Sequence, residues 1–392
     1  MSWFPMKICI LDPLFFPYFG GTEKVVLEVC SRLAKNYGYE IEVLTSMIPQ
    51  ANGVKRENVK GLDVHRTPSL YFANLPGFLP PPFTISPLLN LDLLTQHGGA
   101  DVYHINNRFW YSWGTLASIK LLLRRKLMLT IHNSRPRGIA PDVDFWGGLY
   151  DDTLGRAIFS ICDRINCVSR ATLEATIPKG MHGKCAVVYN GVDTKNFKPS
   201  KGGKEVREKF KLGSSPLILS NGRLVTQKGF NYLLDAFAGV KKHVKDAKLM
   251  IIGRGPLKDA ILAQASALGV ADSVIITTGI PEGELPNYYN AADVFVLASL
   301  YEPGAVVLYE ALGCGKPVVA TSAGGNPEIV SKDCGFIVPT SSSKALKDKM
   351  LMFLEDDSLM KKAGAAARKR AVKKFDWDII AGGWDKSYRA LF

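Results

Sequence analysis

"EPGAVVLYEALGCGKPVVAT", Glu302 to Thr321, joins an apolar helical stretch to a Gly-Cys-Gly turn and then to a β-branched run. A helix followed at once by a short apolar strand is one repeat of a parallel α/β sheet. Glu302 and Glu310 bracket the helix, with seven residues between them. One reading makes the first a dipole-favoured carboxylate at the helix start and the second a solvated surface group. The other makes both point at a ligand with several hydroxyls.

Working outward, the same theme recurs on both sides. "MKICILD" (Met6–Asp12) reads as a short buried strand, followed by a Pro/Phe/Gly-rich loop and a helix, "TEKVVLEVCSRLAKNYG", closed by Gly38. "EIEVLTS", "DVYHINN", "LMLTIHN", "RINCVSR" and "CAVVYNGVD" are apolar strands that end in polar residues where a loop begins. The second half restarts with "LILSNGRL", "KLMIIGRGP", "SVIITTG", "DVFVLAS" and "KPVVATS", separated by helical segments. Strands alternating with helices of this length predict two doubly wound α/β domains, whose ligands bind at the carboxyl ends of the strands. The boundary is expected in the polar Lys/Gly stretch "GVDTKNFKPSKGGKEVREKF". That gives a first domain of 1–197, a second of 198–374 and a closing helix of 375–392.

Composition agrees with a globular chain. Of 392 residues, 47% are hydrophobic and 22% charged, and no run approaches the roughly 20 apolar residues of a membrane span. The N-terminus has no small-residue cleavage site and does not read as a signal peptide. Seven scattered cysteines without paired spacing read as free thiols of a reducing cytoplasm. The formal charge of +13 is spread over both halves and peaks at "KKAGAAARKRAVKK" (Lys361–Lys374). That run is either the solvated face of a late helix or a surface for an anionic partner. Residues 68–94 are rich in Pro, aromatics and Leu. They are either a packed loop or an exposed surface for an apolar partner.

Individual motifs are weak alone. Gly20-Gly21 between a strand and a helix would let backbone amides approach an anion at the helix N-terminus. Gly253-x-Gly255 follows a strand, but Pro256 and Lys258 spoil a dinucleotide fingerprint. "NGRLVTQKG" (Asn221–Gly229) puts Arg223 and Lys228 on a loop suited to clamp phosphates, without P-loop order. His104 and His132 end apolar strands, where a lone His is more often a packing residue than a catalyst. Asp142 and Asp144 of "PDVDF" mimic a metal-binding DxD in what reads as a loop, and are taken as a decoy. No His/Asp/Glu spacing announces a metal site.

In order along the chain, Gly20-Gly21, His132, "YNGVD" (Tyr189–Asp193), "GRLVTQKG", "IIGRGP", "YYNAADVFVLAS" and the Glu302–Val330 segment resemble the retaining glycosyltransferases of family 4. The late "FDWDIIAGGWDKSYRALF" is similar to the helix that closes that family's fold over the first domain. The resemblance implies the GT-B architecture, two Rossmann-like domains facing across a cleft. It implies transfer from a UDP- or GDP-sugar to an acceptor hydroxyl with retention. His132, Arg223, Lys228 and Glu302 would be catalytic. Gly20, Gly21, Gly253, Gly304, Ala305, Val306 and Glu310 would bind the donor, Glu302 through a sugar hydroxyl and Glu310 through the ribose. His104, Asn133 and Arg170 would lie on the acceptor side. The family usually has Glu-Pro-Phe-Gly where this chain has Glu-Pro-Gly-Ala at 302–305, which moves the glycine by one.

No cofactor and no metal are expected beyond the nucleotide sugar, because the cations replace one. The acceptor is expected to be a carbohydrate or a lipid-linked molecule. The 68–94 segment, "NRFWYSW" (Asn107–Trp113) and the basic charge point to an anionic inner membrane surface as a partner of a cytoplasmic protein. A GT-B sugar-nucleotide 2-epimerase is the enzymatic alternative. A nucleic-acid-binding protein is the other, suggested only by a pI near 9.3, and no nucleic-acid partner is expected.

Overall fold

A computed structural model describes residues 6–18, 20–73, 82–106, 113–135 and 141–392. The chain divides into two compact units, residues 1–189 with 377–392, and residues 190–376. In the first unit the strands are β1 (Lys7–Leu11), β2 (Glu40–Ser46), β3 (Arg56–Val59), β4 (Leu62–Thr67), β5 (Leu70–Phe72), β6 (Phe83–Ile85), β7 (Val102–Ile105), β8 (Lys126–Ile131), β9 (Arg164–Cys167) and β10 (Cys185–Val187). Eight of them form one sheet in the order β10-β9-β8-β7-β1-β2-β4-β3. Every pairing in it is parallel except β3 with β4.

The second unit has β11 (Leu217–Asn221), β12 (Lys248–Ile252), β13 (Val274–Thr277), β14 (Val294–Leu297), β15 (Val318–Thr321) and β16 (Gly335–Val338). They form an all-parallel sheet in the order β13-β12-β11-β14-β15-β16. Ile218, Leu249, Val294, Val296 and Val319 enter one core with Leu233, Leu234 and Phe237 of the helix Phe230–His243. Such strands are apolar throughout because helices cover both faces of a parallel sheet. In each sheet the winding reverses beside the first strand, between β1 and β7 and between β11 and β14. Those reversals open crevices at the carboxyl ends, where ligands of doubly wound sheets sit.

The boundary falls at Tyr189, earlier than the expected 197, and the reason is local. Val192 pairs with Asp376, and Val192 N–H donates to Phe375 O at 2.8 Å. Phe197 is buried, and its carbonyl accepts from Arg368 at 2.8 Å. The stretch after Asn190 therefore belongs to the second unit's own packing. Arg368 also donates to Gly313 O and Thr194 O, and Arg370 to Ile329 O and Glu328 O. Arg368 and Arg370 of the basic run Lys361–Lys374 are thus spent on interior carbonyls, while Lys361, Lys362, Lys369, Lys373 and Lys374 are exposed.

Helix Trp377–Arg389 returns to the first unit and packs against helix Gly21–Tyr37. Trp377, Trp384 and Tyr388 are fully buried, each contributing on the order of 3 kcal/mol by burial. Tyr39 donates to Asp385 at 2.6 Å and Ser387 to Asn166 at 2.9 Å, which fixes the helix's rotation.

Residues 68–94 contain the antiparallel pair β5–β6 and the start of helix Leu89–Gln96, with Leu70, Ile85, Leu88 and Leu91 exposed. Residues 74–81, and 107–112 of "NRFWYSW", lie outside the described residues. Asp142 and Asp144, expected in a loop, sit in the first turn of helix Pro141–Tyr150. Carboxylates in a first turn face the positive end of the helix dipole, which accounts for them. All seven cysteines are free, six of them buried. Among the described residues no helix is long and apolar enough to cross a membrane.

Candidate functional site

In the second unit the chemistry gathers at the β11/β14 crevice. β11 ends in Asn221, and the loop after it carries Arg223 and Lys228. β14 leads through Ser299 to Glu302. Lys228 Nζ donates to Glu302 Oε2 at 2.5 Å, and Ser299 Oγ donates to the same oxygen at 3.2 Å. The side chains are 17% and 9% exposed, so this is a largely desolvated pair. Both bonds fall on Oε2, and Oε1 has no partner among the described residues. Lys228 likewise keeps two of its three N–H donors. Arg223 is exposed, and its guanidinium has no bonded partner among the described residues.

The backbone under Glu302 is held from three sides. Gly325 N–H donates to Glu302 O at 2.9 Å. Gly324 adopts φ +47, and a Cβ there would stand 2.1 Å from Glu302 O, so only glycine fits. Asn190 Nδ2 donates to Gly304 O at 2.9 Å, which gives the "YNGVD" motif a physical task. Thr321 Oγ1 donates to Ser299 O at 2.5 Å, tying the end of β15 to the same loop. Ala305 is the extended cap of helix Val306–Gly313, so the first amides, Val306 among them, have no partner inside the helix. That positive end lies two residues from Gly304 and beside the Glu302 loop.

Glu310 is not a solvated helix residue; it is 4% exposed. It accepts from Tyr289 OH at 2.8 Å, and Tyr289 OH accepts from Asn221 Nδ2 at 3.1 Å. Burial, with Glu310 next to it, pushes the Tyr289 phenol well above its ordinary range, so the proton stays on tyrosine, which donates it to the carboxylate. Gly253 behaves otherwise than expected. Its N–H is committed to Thr277 O at 2.9 Å, and a Cβ would meet Gly222 O at 2.0 Å. It allows two strand exits to approach and offers no amide to a donor.

In the first unit β8 delivers His132 and β7 delivers Asn106, with 3.3 Å between His132 Nε2 and Asn106 Oδ1. An amide oxygen only accepts, so Nε2 carries the hydrogen and Nδ1 is left as an acceptor. Burial pushes His132 down to about 4, so it is neutral at physiological pH. The unfolded chain binds this proton below about pH 6.5, the folded one only near 4. Stability therefore falls as pH drops through that window. His132→Gln is expected to reduce the loss between pH 7 and pH 5 by about 2 kcal/mol in urea-midpoint measurements. An unchanged pH slope would show that the ring is solvated instead.

His104 is corrected from an acceptor-side group to a structural one. It is fully buried, with Nδ1 2.6 Å from Tyr388 OH and Nε2 2.7 Å from Thr130 Oγ1, and its ring lies against Trp384. Both nitrogens are engaged in seating the returning helix. Asn133 and Arg170 are exposed at the ends of β8 and β9.

Gly20 and Gly21 open helix Gly21–Tyr37 as expected, but the protein's own carboxylate already stands there. A Cβ on Gly20 would lie 2.2 Å from Glu23 Oε2. Asp12, at the exit of β1, is buried, and burial with Glu23 nearby raises its carboxyl well above the usual range. The Glu23 carboxyl occupies the space beside Gly20 through which an anion would approach.

Sequence reasoning gave no role to Asn190, Asn221, Tyr289, Ser299 or Gly324. Tyr289 is flanked by Asn287, Asn290 and Asp293, so its burial carries no local signal, although a buried phenol needs a polar partner.

The models of two families match: "Glycosyltransferase Family 4" over residues 19–196 and "Glycosyl transferases group 1" over 203–370. A GDP-mannose-dependent alpha-(1-6)-phosphatidylinositol monomannoside mannosyltransferase of Mycolicibacterium smegmatis is 35% identical over 196 residues, 48% of this chain and 51% of that protein. The chain thus spans about half the length of that relative. An N-acetyl-alpha-D-glucosaminyl L-malate synthase of Bacillus anthracis is 26% identical, with 95% of this chain and 94% of that protein covered. Among solved structures, Anabaena HepE in complex with UDP superimposes with a TM-score of 0.77 at 20% identity, over 98% of this chain and all of the other, a likeness of fold. With each half matched by its own model and the two-sheet fold shared, the chain belongs to the family 4 glycosyltransferases of GT-B fold.

Proposed function

We propose that the protein is a retaining hexosyltransferase that moves a sugar from a nucleoside diphosphate sugar to an acceptor hydroxyl. The observation that carries this reading is the pair of buried carboxylates on one crevice. Glu302 keeps a free oxygen beside Lys228, and Glu310 accepts from Tyr289 OH at 2.8 Å. Carboxylates accept hydroxyl bonds with strong directionality, Glu302 from the sugar and Glu310 from the ribose. Lys228 and Arg223, with the amides at Ala305–Val306, stabilise charge on the leaving diphosphate, the kind of help that dominates much catalysis. These cations take the place of a metal in that step. Neutral His132, on the first unit, orients the sugar through its ring nitrogen. No Asp or Glu stands out as a covalent nucleophile, which favours substitution on one face of the sugar with the leaving phosphate taking the acceptor proton.

The mannosyltransferase relative is named for GDP-mannose and the HepE structure for UDP, so both bases are candidate donors. The acceptor we favour is lipid-linked and presented at an anionic membrane surface inside the cell. The relative's name specifies a phosphatidylinositol mannoside. The first unit also exposes Phe145, Trp146 and Leu149 on one helix. Calorimetric titration with UDP, GDP and ADP in chelator tests the donor reading, and one base is expected to bind well above the others. Proton NMR of the product would show the anomeric configuration unchanged. If none of the three binds, the donor reading fails. Absence of flotation with anionic liposomes would move the acceptor to a soluble sugar.

A further inference from the structure

Three side chains of the first unit that no donor or acceptor role uses converge on one buried spot. Cys9 lies on β1 and Glu42 is its direct register partner on β2. His97 follows helix Leu89–Gln96 and is pinned there by its own N–H to Leu93 O and by Tyr103 OH on its carbonyl. A thiol sulfur, a carboxylate oxygen and an imidazole nitrogen, one from each, all lie within 4.8 Å of one another. The orientation of His97 is set from behind, because its Nε2 is 2.6 Å from His65 Nδ1. Its Nδ1 faces inward. Glu42 Oε2 is 3.0 Å from that nitrogen, yet Nδ1 is buried without a hydrogen bond, as is Glu42 Oε1. Buried polar atoms are rarely left so. The nearest cation is Lys7, whose ammonium is 3.9 Å from Glu42 Oε2 and whose side chain is 39% exposed.

We propose that Cys9, Glu42 and His97 form a structural site for one divalent transition-metal ion, best matched by zinc. Thiolate, imidazole and carboxylate are zinc's ligand set, and three of them leave a fourth tetrahedral position for water. A sulfur and a nitrogen donor disfavour calcium and magnesium, which take oxygen. His65 supplies the outer partner that a metal-bound imidazole usually has, accepting from Nε2–H so that the Nδ1 lone pair points at the ion. Binding replaces the thiol proton: Cys9 S–H and M²⁺ give Cys9 S–M and a released H⁺. The ion would tie β1 and β2 to the end of helix Leu89–Gln96 and satisfy both orphaned atoms. This differs from the catalytic step proposed above, in which no metal takes part.

The test uses the full chain, stripped with chelator, dialysed and titrated with Co²⁺ and then Zn²⁺. One Co²⁺ per chain is expected, with a thiolate-to-cobalt charge-transfer band that Zn²⁺ abolishes, and with proton release. Cys9→Ser is expected to remove the band and weaken binding roughly 100-fold or more. His65→Phe is expected to keep the band and weaken binding about 10- to 100-fold. Cys185→Ser, at the half-buried thiol elsewhere in the unit, is expected to change nothing. If Cys9→Ser does not fold, Glu42→Gln in its place is expected to keep the band while lowering affinity. Sub-stoichiometric binding, or a band that survives Cys9→Ser or vanishes in Cys185→Ser, overturns the proposal.

Discussion

Lys228→Met is expected to lower kcat/KM for sugar transfer by roughly 10²- to 10³-fold, the range seen when one preorganised charge-stabilising donor is removed. It is also expected to destabilise the second unit, because Glu302 is left desolvated without its cation. Removing one partner of a buried pair costs on the order of 3 kcal/mol, whereas removing both is often close to neutral. The double variant Lys228→Met, Glu302→Gln therefore separates the two effects. Its urea midpoint is expected to recover most of the lost stability while activity stays low. Recovery of activity together with stability would mean that the pair only holds the loop after β14. Retention of activity in Lys228→Met alone would remove the lysine from the chemistry altogether.

Why that pair was legible, and others were not, follows from where the information lies. Lys228 and Glu302 are 74 residues apart, yet each sits just past an apolar strand. In a doubly wound sheet such strand tails converge on the edge where the winding reverses. Period and polarity along the chain therefore locate them without any knowledge of contacts. His104 has the same local signature, an apolar strand ending in a polar residue, but its partner Tyr388 is 284 residues away on a helix that folds back. Nothing within the strand distinguishes a histidine that seats a helix from one that meets a substrate.

Glycines misled in a similar way. Gly20 and Gly253 both stand at strand-to-helix junctions, but one is crowded by the Glu23 carboxylate and the other by the Gly222 carbonyl. Close approach of backbone to backbone needs the same residue type as close approach of backbone to phosphate. The cluster of Cys9, Glu42 and His97 was invisible for the opposite reason, since its members come from three separate segments with no motif spacing. The basic run Lys361–Lys374 was half legible. Its helix was plain, but which arginines turn inward to Thr194, Phe197 and Gly313 depends on packing with elements far earlier in the chain.

Glu310→Ala is expected to weaken binding of the preferred nucleoside diphosphate by about 10- to 100-fold, the 1–3 kcal/mol of a hydrogen bond to a charged group. A ribose is far from the breaking bond and is held equally before and during reaction, so the loss should fall on KM with kcat little changed. Two further variants test whether Glu310 acts directly or only packs. Glu310→Gln keeps an oxygen for Tyr289 but loses the charge, and is expected to show most of the binding defect at a nearly normal urea midpoint. Tyr289→Phe keeps the Glu310 carboxyl while deleting its 2.8 Å donor, and also removes the acceptor of Asn221 Nδ2. Its cost of about 1–3 kcal/mol is expected mainly in stability, with a smaller effect on nucleotide affinity. The reverse pattern, normal binding in Glu310→Gln and a large defect in Tyr289→Phe, would assign recognition to the tyrosine and leave the carboxylate as its support. Equal binding by all three variants would return Glu310 to the role of a buried helix residue, and the donor reading would then rest on Lys228 and Glu302 alone.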